Sequence, residues 1–297
     1  MADRLPNYGG QALIEGVMMR GARTCAIAVR APDGKIRIQT EPLGRIYRSP
    51  LAKIPFLRGL LVLWDALALG MRALTFSANV QAGEEDRIGG VPMVLTMVAS
   101  LVLGISLFFL LPAGVGYLAE KALHVTAWWS NVIEGLVRLG LLVGYIWAIG
   151  RIPDIRRVFG YHGAEHKTIH AFEAGAELTP ERVADFPVEH MRCGTAFLLT
   201  VVLFSILLFS ALGPLPLATR LVSRLLLVPV LAAAAYEYIR LTGRMASHRW
   251  ARVLASPNLA LQRLTTREPE AGMLEVAIAA FETLRVLESE PAASPAE

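Results

Sequence analysis

The sequence predicts a mainly α-helical polytopic membrane protein with about four transmembrane helices, an amphipathic interfacial helix and a small N-terminal cytoplasmic β element. Hydrophobic residues make up 54% of the 297 residues and charged residues only 18%, and the mean hydropathy is +0.48. An average soluble domain is about 25% charged. The composition therefore excludes an ordinary soluble domain.

Four runs of nearly uncharged residues predict the transmembrane helices. A helix that rises 1.5 Å per residue needs about 20 residues to cross about 30 Å of hydrocarbon. Runs close to this length lie at 91–115, 134–152, 196–213 and 221–243. We therefore predict four spans.

The stretch 54–80 also has a helical pattern, but it carries charged residues. Arg58, Asp65 and Arg72 recur every seven residues, which places them along one stripe of a helix. Charged side chains are costly at the middle of a bilayer. We therefore expect this helix to lie in the membrane interface or against the other helices, with a fifth span as the alternative.

The distribution of basic residues predicts the orientation. Of the 29 Lys and Arg residues, 25 lie before the first span, in the loop between spans two and three, or from Arg240 onward. The positive-inside rule then places both termini and this loop in the cytoplasm. Cys25 and Cys193 fall on this same side, so we expect no disulfide. The net charge of +4 reflects this topology, and we expect no nucleic-acid partner.

Both ends of the chain show further secondary structure. The stretches 24–30 and 35–43 flank the turn sequence Ala31-Pro32-Asp33-Gly34, which predicts a β-hairpin. Near the other end, the spacing of apolar residues over 271–288 predicts a cytoplasmic amphipathic helix. The apolar stripe of this helix contains Leu274, Ala277, Ile278, Phe281 and Leu284.

These features divide the chain into five predicted regions. The regions are a β-hairpin region at 1–50, an interfacial helix at 51–88, a four-span domain at 89–246 with a polar cytoplasmic loop at 153–194, C-terminal helices at 247–288 and a disordered tail at 289–297.

The polar loop contains the densest group of chemically active residues. Residues 161–173 read YHGAEHKTIHAFE. On a helix, the candidate metal ligands His162, His166, His170 and Glu173 lie within about 80° of one another. Imidazole and carboxylate ligands suit a divalent metal, with zinc as our first expectation. Gly163 could delay the start of the helix and leave His162 in the preceding turn.

The order His162-x-x-Glu165-His166 also matches the inverted zinc-peptidase pattern. In that pattern two histidines bind zinc and the glutamate polarises the attacking water. Glu165 is therefore the candidate catalytic residue.

Three residues elsewhere are candidates for a further ligand. We favour Glu237, because a carboxylate inside a predicted span is a functional candidate by default. An ion pair with Arg240 or Arg244, or exposure at the headgroup level, is the alternative for Glu237. We expect Cys193 to be a small buried side chain and His190 to lie at the surface.

Several short motifs resemble the YqhQ-like family of bacterial inner-membrane proteins. These motifs are GGQALIEGVMMRG, AEHKTIHAFE, RCGTAFLL, Tyr236-Glu237, LQRLTTREP and EVAIAA, and the similarity extends over about residues 8–285. One departure is SPNLALQ, where a Pro-Gly pair is expected. The resemblance implies a multi-span membrane protein and a predicted metal-dependent enzyme, without a substrate or an established catalytic residue.

Three functions are therefore open. The first is a metal-dependent hydrolase acting at the cytoplasmic membrane face. The second is a non-catalytic scaffold or accessory partner in membrane-protein biogenesis, which docks through its amphipathic helices and its β element while the polar residues of 161–173 are structural. The third is a channel or transporter with a polar path lined by Glu237 and Arg138. The expected partners are the lipid bilayer and other membrane proteins or further copies of the chain.

Overall fold

The computed structural model of the protein describes residues 8–44, 50, 54–83, 90–191, 193–245 and 248–289. Within this part of the chain the fold is mainly helical with a small N-terminal antiparallel sheet, as the composition and turn pattern predict. The predicted disordered tail lies outside the described residues from position 290 onward.

The N-terminal sheet is a four-stranded antiparallel meander. Its strands are β1 Gly9–Leu13, β2 Gly16–Arg20, β3 Thr24–Arg30 and β4 Ile36–Pro42. The predicted hairpin is confirmed as β3 and β4, and the Ala31 amide donates to the Lys35 carbonyl across the turn at 2.9 Å. Gly34 in this turn has a φ of 82°, a conformation that glycine adopts without steric cost. The strands β1 and β2 were not predicted from the sequence.

The helices follow the sheet along the chain. Those in the described residues are α1 Leu57–Ala82, α2 Gly90–Ile105, α3 Leu111–Ala122, α4 Ala127–Ile149, α5 Pro153–Glu173, α6 Pro180–Ala184, α7 Thr195–Ala211, α8 Leu217–Leu226, α9 Val228–Arg244, α10 Arg249–Thr265 and α11 Ala271–Ser289. A π-helical segment, Ser106–Leu110, joins α2 to α3.

The helix lengths only partly agree with the predicted spans. By length and apolar composition, three helices could cross a membrane: α1, the continuous stretch Met93–Ala122 and α4. The pair α8 and α9, bent by 42°, would be a fourth if it forms one span, and α7 is apolar but shorter. The chain is therefore compatible with a membrane protein of three spans, or of four if the bent pair is one span. The set of helices differs from the predicted one, since α1 qualifies and α7 is too short.

The helix α1 passes this test on length and composition, and two residues of its charged stripe have partners inside the protein. Arg58 pairs with Glu237 of α9, and Arg72 pairs with Glu41 of β4 at 2.9 Å. Sequence spacing could not reveal these pairs, since the partners lie far away in the chain.

Helices cover both faces of the sheet. On one face, Val17, Met19, Ala26 and Ala28 pack against α5 and α11. On the other face, the side chains of alternate strand residues pack against α1. All five stripe residues predicted for the C-terminal helix are buried in the first of these layers, which confirms the amphipathic pattern. Three segments that are distant in sequence therefore share one core.

A second polar region lies among the apolar helices, and we call it the arginine cluster. Glu134 of α4 accepts hydrogen bonds from Arg138, Arg220 and Arg224. All four side chains are at most 3% exposed. The arginines also donate to Ser130, Asn131 and Ser205, and Arg138 Nε donates to the carbonyl of Phe108 in the π-helical segment.

These contacts give no support to a polar path shared by Arg138 and Glu237. The guanidinium of Arg138 is engaged by Glu134, Ser205 and a backbone carbonyl. Glu237 is engaged separately, by Arg58 of α1. The channel hypothesis therefore remains a prediction without a structural observation in its favour.

Candidate metal site

The helix α5 carries the histidines and is continuous from Pro153 to Glu173. The expectation that Gly163 delays the helix start is therefore wrong, and His162 is helical. Gly163 allows the backbone of Arg267 to approach α5 closely, because an added Cβ at this position would lie 2.1 Å from the carbonyl oxygen of Arg267. In the same contact, the Arg267 amide donates to the Phe159 carbonyl at 2.9 Å. The link between α10 and α11 thus lies directly on α5.

Six side chains form what we call the histidine cluster. They are His162, His166, His170 and Glu173 of α5 together with His190 and Cys193, which precede α7. The structure places these side chains in two groups of three, and in each group one ligand atom per residue lies within 4.8 Å of the others.

The first group is His162, His166 and Cys193, all of which are buried. The Nε2 atom of His162 lies 3.2 Å from Cys193 Sγ, and the ring centroids of His162 and His166 are 4.4 Å apart. Cys193 is buried as predicted, but its thiol faces two imidazoles. Nitrogen and sulfur ligands together are typical of zinc.

Backbone carbonyls orient both imidazoles of this group. His162 Nδ1 lies 2.9 Å from the Thr265 carbonyl oxygen, and His166 Nδ1 contacts the Val188 carbonyl oxygen. A carbonyl only accepts, so each Nδ1 carries the proton and each Nε2 has a lone pair. This arrangement fixes the tautomer of a metal-binding histidine in many proteins. Burial lowers the pKa of His166, which favours the neutral form that binds metal.

The second group is His170, Glu173 and His190. Glu173 Oε2 lies 3.8 Å from His190 Nε2, and His170 Nε2 donates to the Glu189 carbonyl at 2.8 Å. The prediction that His190 lies at the surface is wrong, because the residue is only 6% exposed. Burial also lowers the pKa of His190. The helix therefore contributes ligands to both groups.

The position of His190 is fixed by Gln262 of α10. The His190 amide donates to Gln262 Oε1 at 2.8 Å, and Gln262 Nε2 donates to the His190 carbonyl at 2.9 Å. Gln262 is fully buried. Sequence reasoning missed this residue, although it belongs to the LQRLTTREP motif that carried the family resemblance.

Glu165 of α5 packs against strand β1. An added Cβ at Gly10 would lie 2.9 Å from Glu165 Cγ, and the backbone of Gly10 hydrogen bonds to the carboxyl group. Burial raises the pKa of Glu165, while His162 and His190 act in the opposite direction. A raised pKa brings proton exchange by a carboxyl group closer to neutral pH.

Glu237 does not join the histidine cluster and belongs to neither group. Its carboxylate accepts two hydrogen bonds from Arg58, one of them from Nε at 2.7 Å. Glu237 therefore forms an ion pair, as the alternative predicts, but its hydrogen-bonded partner is Arg58 and not Arg240 or Arg244.

Comparison with known proteins agrees with the motif resemblance. The family model described as "Protein of unknown function (DUF1385)" matches residues 54–286. The chain is also similar to a Bacillus subtilis (strain 168) protein described as "Uncharacterized protein YqhQ". The two are 34% identical over 299 residues, which cover 96% of this chain and 94% of that relative. No solved structure was found to match the chain.

Proposed function

The chain belongs to the DUF1385 family, and we propose that it is a zinc-dependent hydrolase of the membrane interface. In this proposal His162, His166 and Cys193 bind the zinc ion. One observation carries the proposal: three buried ligand side chains face one another, and both imidazoles are oriented by backbone carbonyls. The thiol has one proton and can donate it to only one of the two imidazoles at a time. An unsatisfied buried acceptor is costly, which supports a cation at this position.

The distances are close to those of a zinc site. Bond lengths of about 2.0–2.1 Å to nitrogen and 2.3 Å to sulfur place these two ligands about 3.5 Å apart around a tetrahedral ion. His162 Nε2 and Cys193 Sγ are 3.2 Å apart. A small outward movement would admit the ion, and the thiol would release its proton on binding.

The number of ligands favours hydrolysis. Three protein ligands leave a fourth position for water, which is the usual arrangement of a catalytic zinc. Zinc lowers the pKa of its water and so supplies hydroxide. Glu165 would take the proton from this water and pass it to the leaving group, while the hydroxide adds to the other side of the cleaved bond. The apolar helices favour a peptide or lipid-linked bond near the membrane as substrate.

The first test is the metal content of detergent-purified protein, measured by plasma mass spectrometry. We expect zinc in the wild type and the loss of one ion per chain in Cys193→Ala and in His162→Ala/His166→Ala. Cys25→Ala is the matched control, because Cys25 is the other buried free cysteine and lies in β3. Burial raises the pKa of Cys25 to about 11, and its removal should leave the zinc content unchanged.

The role of Glu165 is tested with Glu165→Gln. This variant should keep its zinc and lose hydrolysis of a panel of peptide and lipid-linked esters or amides. A wild type without zinc, purified without chelator or a histidine tag, would contradict the proposal. The scaffold hypothesis would then be the better one, and capture of a membrane partner would be the next experiment.

A further inference from the structure

We infer that the histidine cluster holds a second cation, bound by His170, Glu173 and His190, and that this ion exchanges with solvent faster than the first. The inference adds to the proposed function but does not depend on catalysis. Its ligand set is independent of the first, since the two groups share no residue.

The geometry of the second group suits a metal of the zinc, iron or manganese class. Two imidazoles and one carboxylate form the ligand set of several catalytic zinc sites. Nitrogen and oxygen ligands of a tetrahedral zinc lie about 3.3–3.4 Å apart at the usual bond lengths. Glu173 Oε2 and His190 Nε2 are 3.8 Å apart, which exceeds hydrogen-bond distance and leaves room for an ion between them.

The surrounding structure orients two of these ligands. Gln262 holds the peptide group of His190 by a reciprocal pair of hydrogen bonds. The Glu189 carbonyl accepts from His170 Nε2 at 2.8 Å. Such supporting contacts are typical of metal sites and fix the direction of the ligand atoms.

The two ligand sets are offset along α5, and no side chain belongs to both. The α5 ligands of the first group are centred between His162 and His166, and those of the second between His170 and Glu173. These centres are about 11 Å apart along the helix axis at 1.5 Å per residue. Bridged metal pairs are only about 3.5–4 Å apart. The rings of His166, from the first group, and His190, from the second, have their centroids 5.6 Å apart.

The difference in exchange rate follows from exposure. Every ligand of the first group is buried, whereas in the second group Glu173 is exposed and His170 is half-buried. The Glu173 side chain is 32% exposed. Water and a chelator can therefore reach the second ion through this carboxylate without opening the core.

The experiment combines zinc stoichiometry with the rate of zinc release to a chromogenic chelator. We expect two zinc ions per wild-type chain and two release phases. Glu173→Ala should remove one ion and the fast phase, whereas Cys193→Ala should remove one ion and the slow phase. Glu177→Ala is the matched control, because Glu177 is an exposed glutamate four residues further along the chain and lies outside both groups.

A second pair of variants tests the role of Gln262 in orienting His190. Loss of such a supporting contact typically weakens metal binding by about 10–100-fold. In Gln262→Leu we expect zinc affinity to fall by this factor at the fast-exchanging position. Asn258→Leu is the control, since Asn258 lies one turn earlier in α10 and its amide bonds Thr200. Circular dichroism and gel filtration would establish that both variants are folded.

The possible failures are distinguishable. One zinc per chain that is lost in Cys193→Ala and kept in Glu173→Ala would overturn the second position and leave the proposed function intact. One zinc that is lost in Glu173→Ala and kept in Cys193→Ala would overturn the proposed function but support this inference. Two ions released in a single phase would overturn the difference in exchange, and no zinc would overturn both proposals.

Discussion

The histidine cluster and the arginine cluster both bury polar side chains between helices, but they satisfy them differently. In the arginine cluster, every guanidinium nitrogen of Arg138, Arg220 and Arg224 donates to a protein acceptor. Both carboxylate oxygens of Glu134 accept from more than one arginine. Every charged group of this cluster is therefore paired with protein atoms, although the side-chain nitrogen of Asn131 has no hydrogen-bond partner among the described residues.

The histidine cluster is arranged in the opposite way. One nitrogen of His162 and one of His166 donate to backbone carbonyls, and these contacts turn the other nitrogens toward the thiol of Cys193. The thiol has one proton and can donate it to only one of these two nitrogens at a time. We conclude that the pattern of donors and acceptors, and not the mere presence of buried polar residues, separates a structural cluster from a candidate ligand site.

The position of each cluster fits this difference. The arginine cluster connects α4, α7 and α8 among the apolar helices, where an unpaired charge would be costly in lipid. The histidine cluster joins α5 and the segment before α7 to α10, next to the sheet and outside the candidate spans. Within the histidine cluster, the exposed carboxylate of Glu173 gives an ion access to water.

The largest effect should follow from breaking the arginine cluster with Glu134→Gln. Removal of one partner from a buried ion pair typically costs about 3–5 kcal/mol, and here three arginines lose the same negative charge. We expect a large drop in the unfolding temperature in detergent, measured by circular dichroism.

The matched control for this variant is Glu120→Gln. Glu120 bonds only one nitrogen of Arg220 and its side chain is 23% exposed, so its loss should cost about 1 kcal/mol or less. Equal effects of the two substitutions would contradict the structural role of the cluster. Zinc content per folded chain should be unchanged in both variants, since neither residue touches the histidine cluster.

An intermediate effect should follow from Gly163→Ala, which acts on the histidine cluster. The new Cβ would meet the Arg267 carbonyl oxygen at 2.1 Å, and a backbone carbonyl cannot move aside as a side-chain end can. Overpacking of this kind typically costs about 1–3 kcal/mol. We expect lower thermal stability together with weaker zinc binding, because Thr265, which orients His162, lies just before this contact.

Gly140→Ala provides the control for this substitution. Gly140 lies in α4, and an added Cβ would meet nothing within 4 Å. Because alanine is the better helix former, this variant should be as stable as the wild type or slightly more stable. A Gly163→Ala variant with wild-type stability and zinc affinity would show that the link between α10 and α11 does not hold the cluster in place.

The parts of the fold that follow from local pattern were predictable from the sequence. The Pro-Asp-Gly turn predicted β3 and β4, and the apolar stripe containing Phe281 predicted the buried face of α11. The spacing of His162 and His166 also placed both histidines on one helix face. Each of these features depends on residues that are close together in the chain.

The parts that depend on distant contacts could not be predicted in this way. His190 was expected at the surface because a loop sequence gives no sign of a buried amide such as Gln262, which lies 72 residues away. Cys193 was not preferred as a ligand because its distance to His162 is a tertiary property. The sequence favours Glu237 as a carboxylate inside a predicted span, and it cannot reveal the partner Arg58, which lies 179 positions earlier.

The smallest effect should follow from Glu237→Gln, the substitution at the ligand favoured from sequence alone. Glu237 and Arg58 each have a side chain that is 19% exposed, and a partly exposed pair contributes about 1 kcal/mol or less. We therefore expect a small loss of stability and an unchanged zinc content. A double-mutant cycle with Arg58→Gln should measure the interaction free energy between the two residues. Loss of zinc in folded Glu237→Gln would instead place this carboxylate in the metal site. An ion pair with an arginine would then not distinguish a structural carboxylate from a metal ligand.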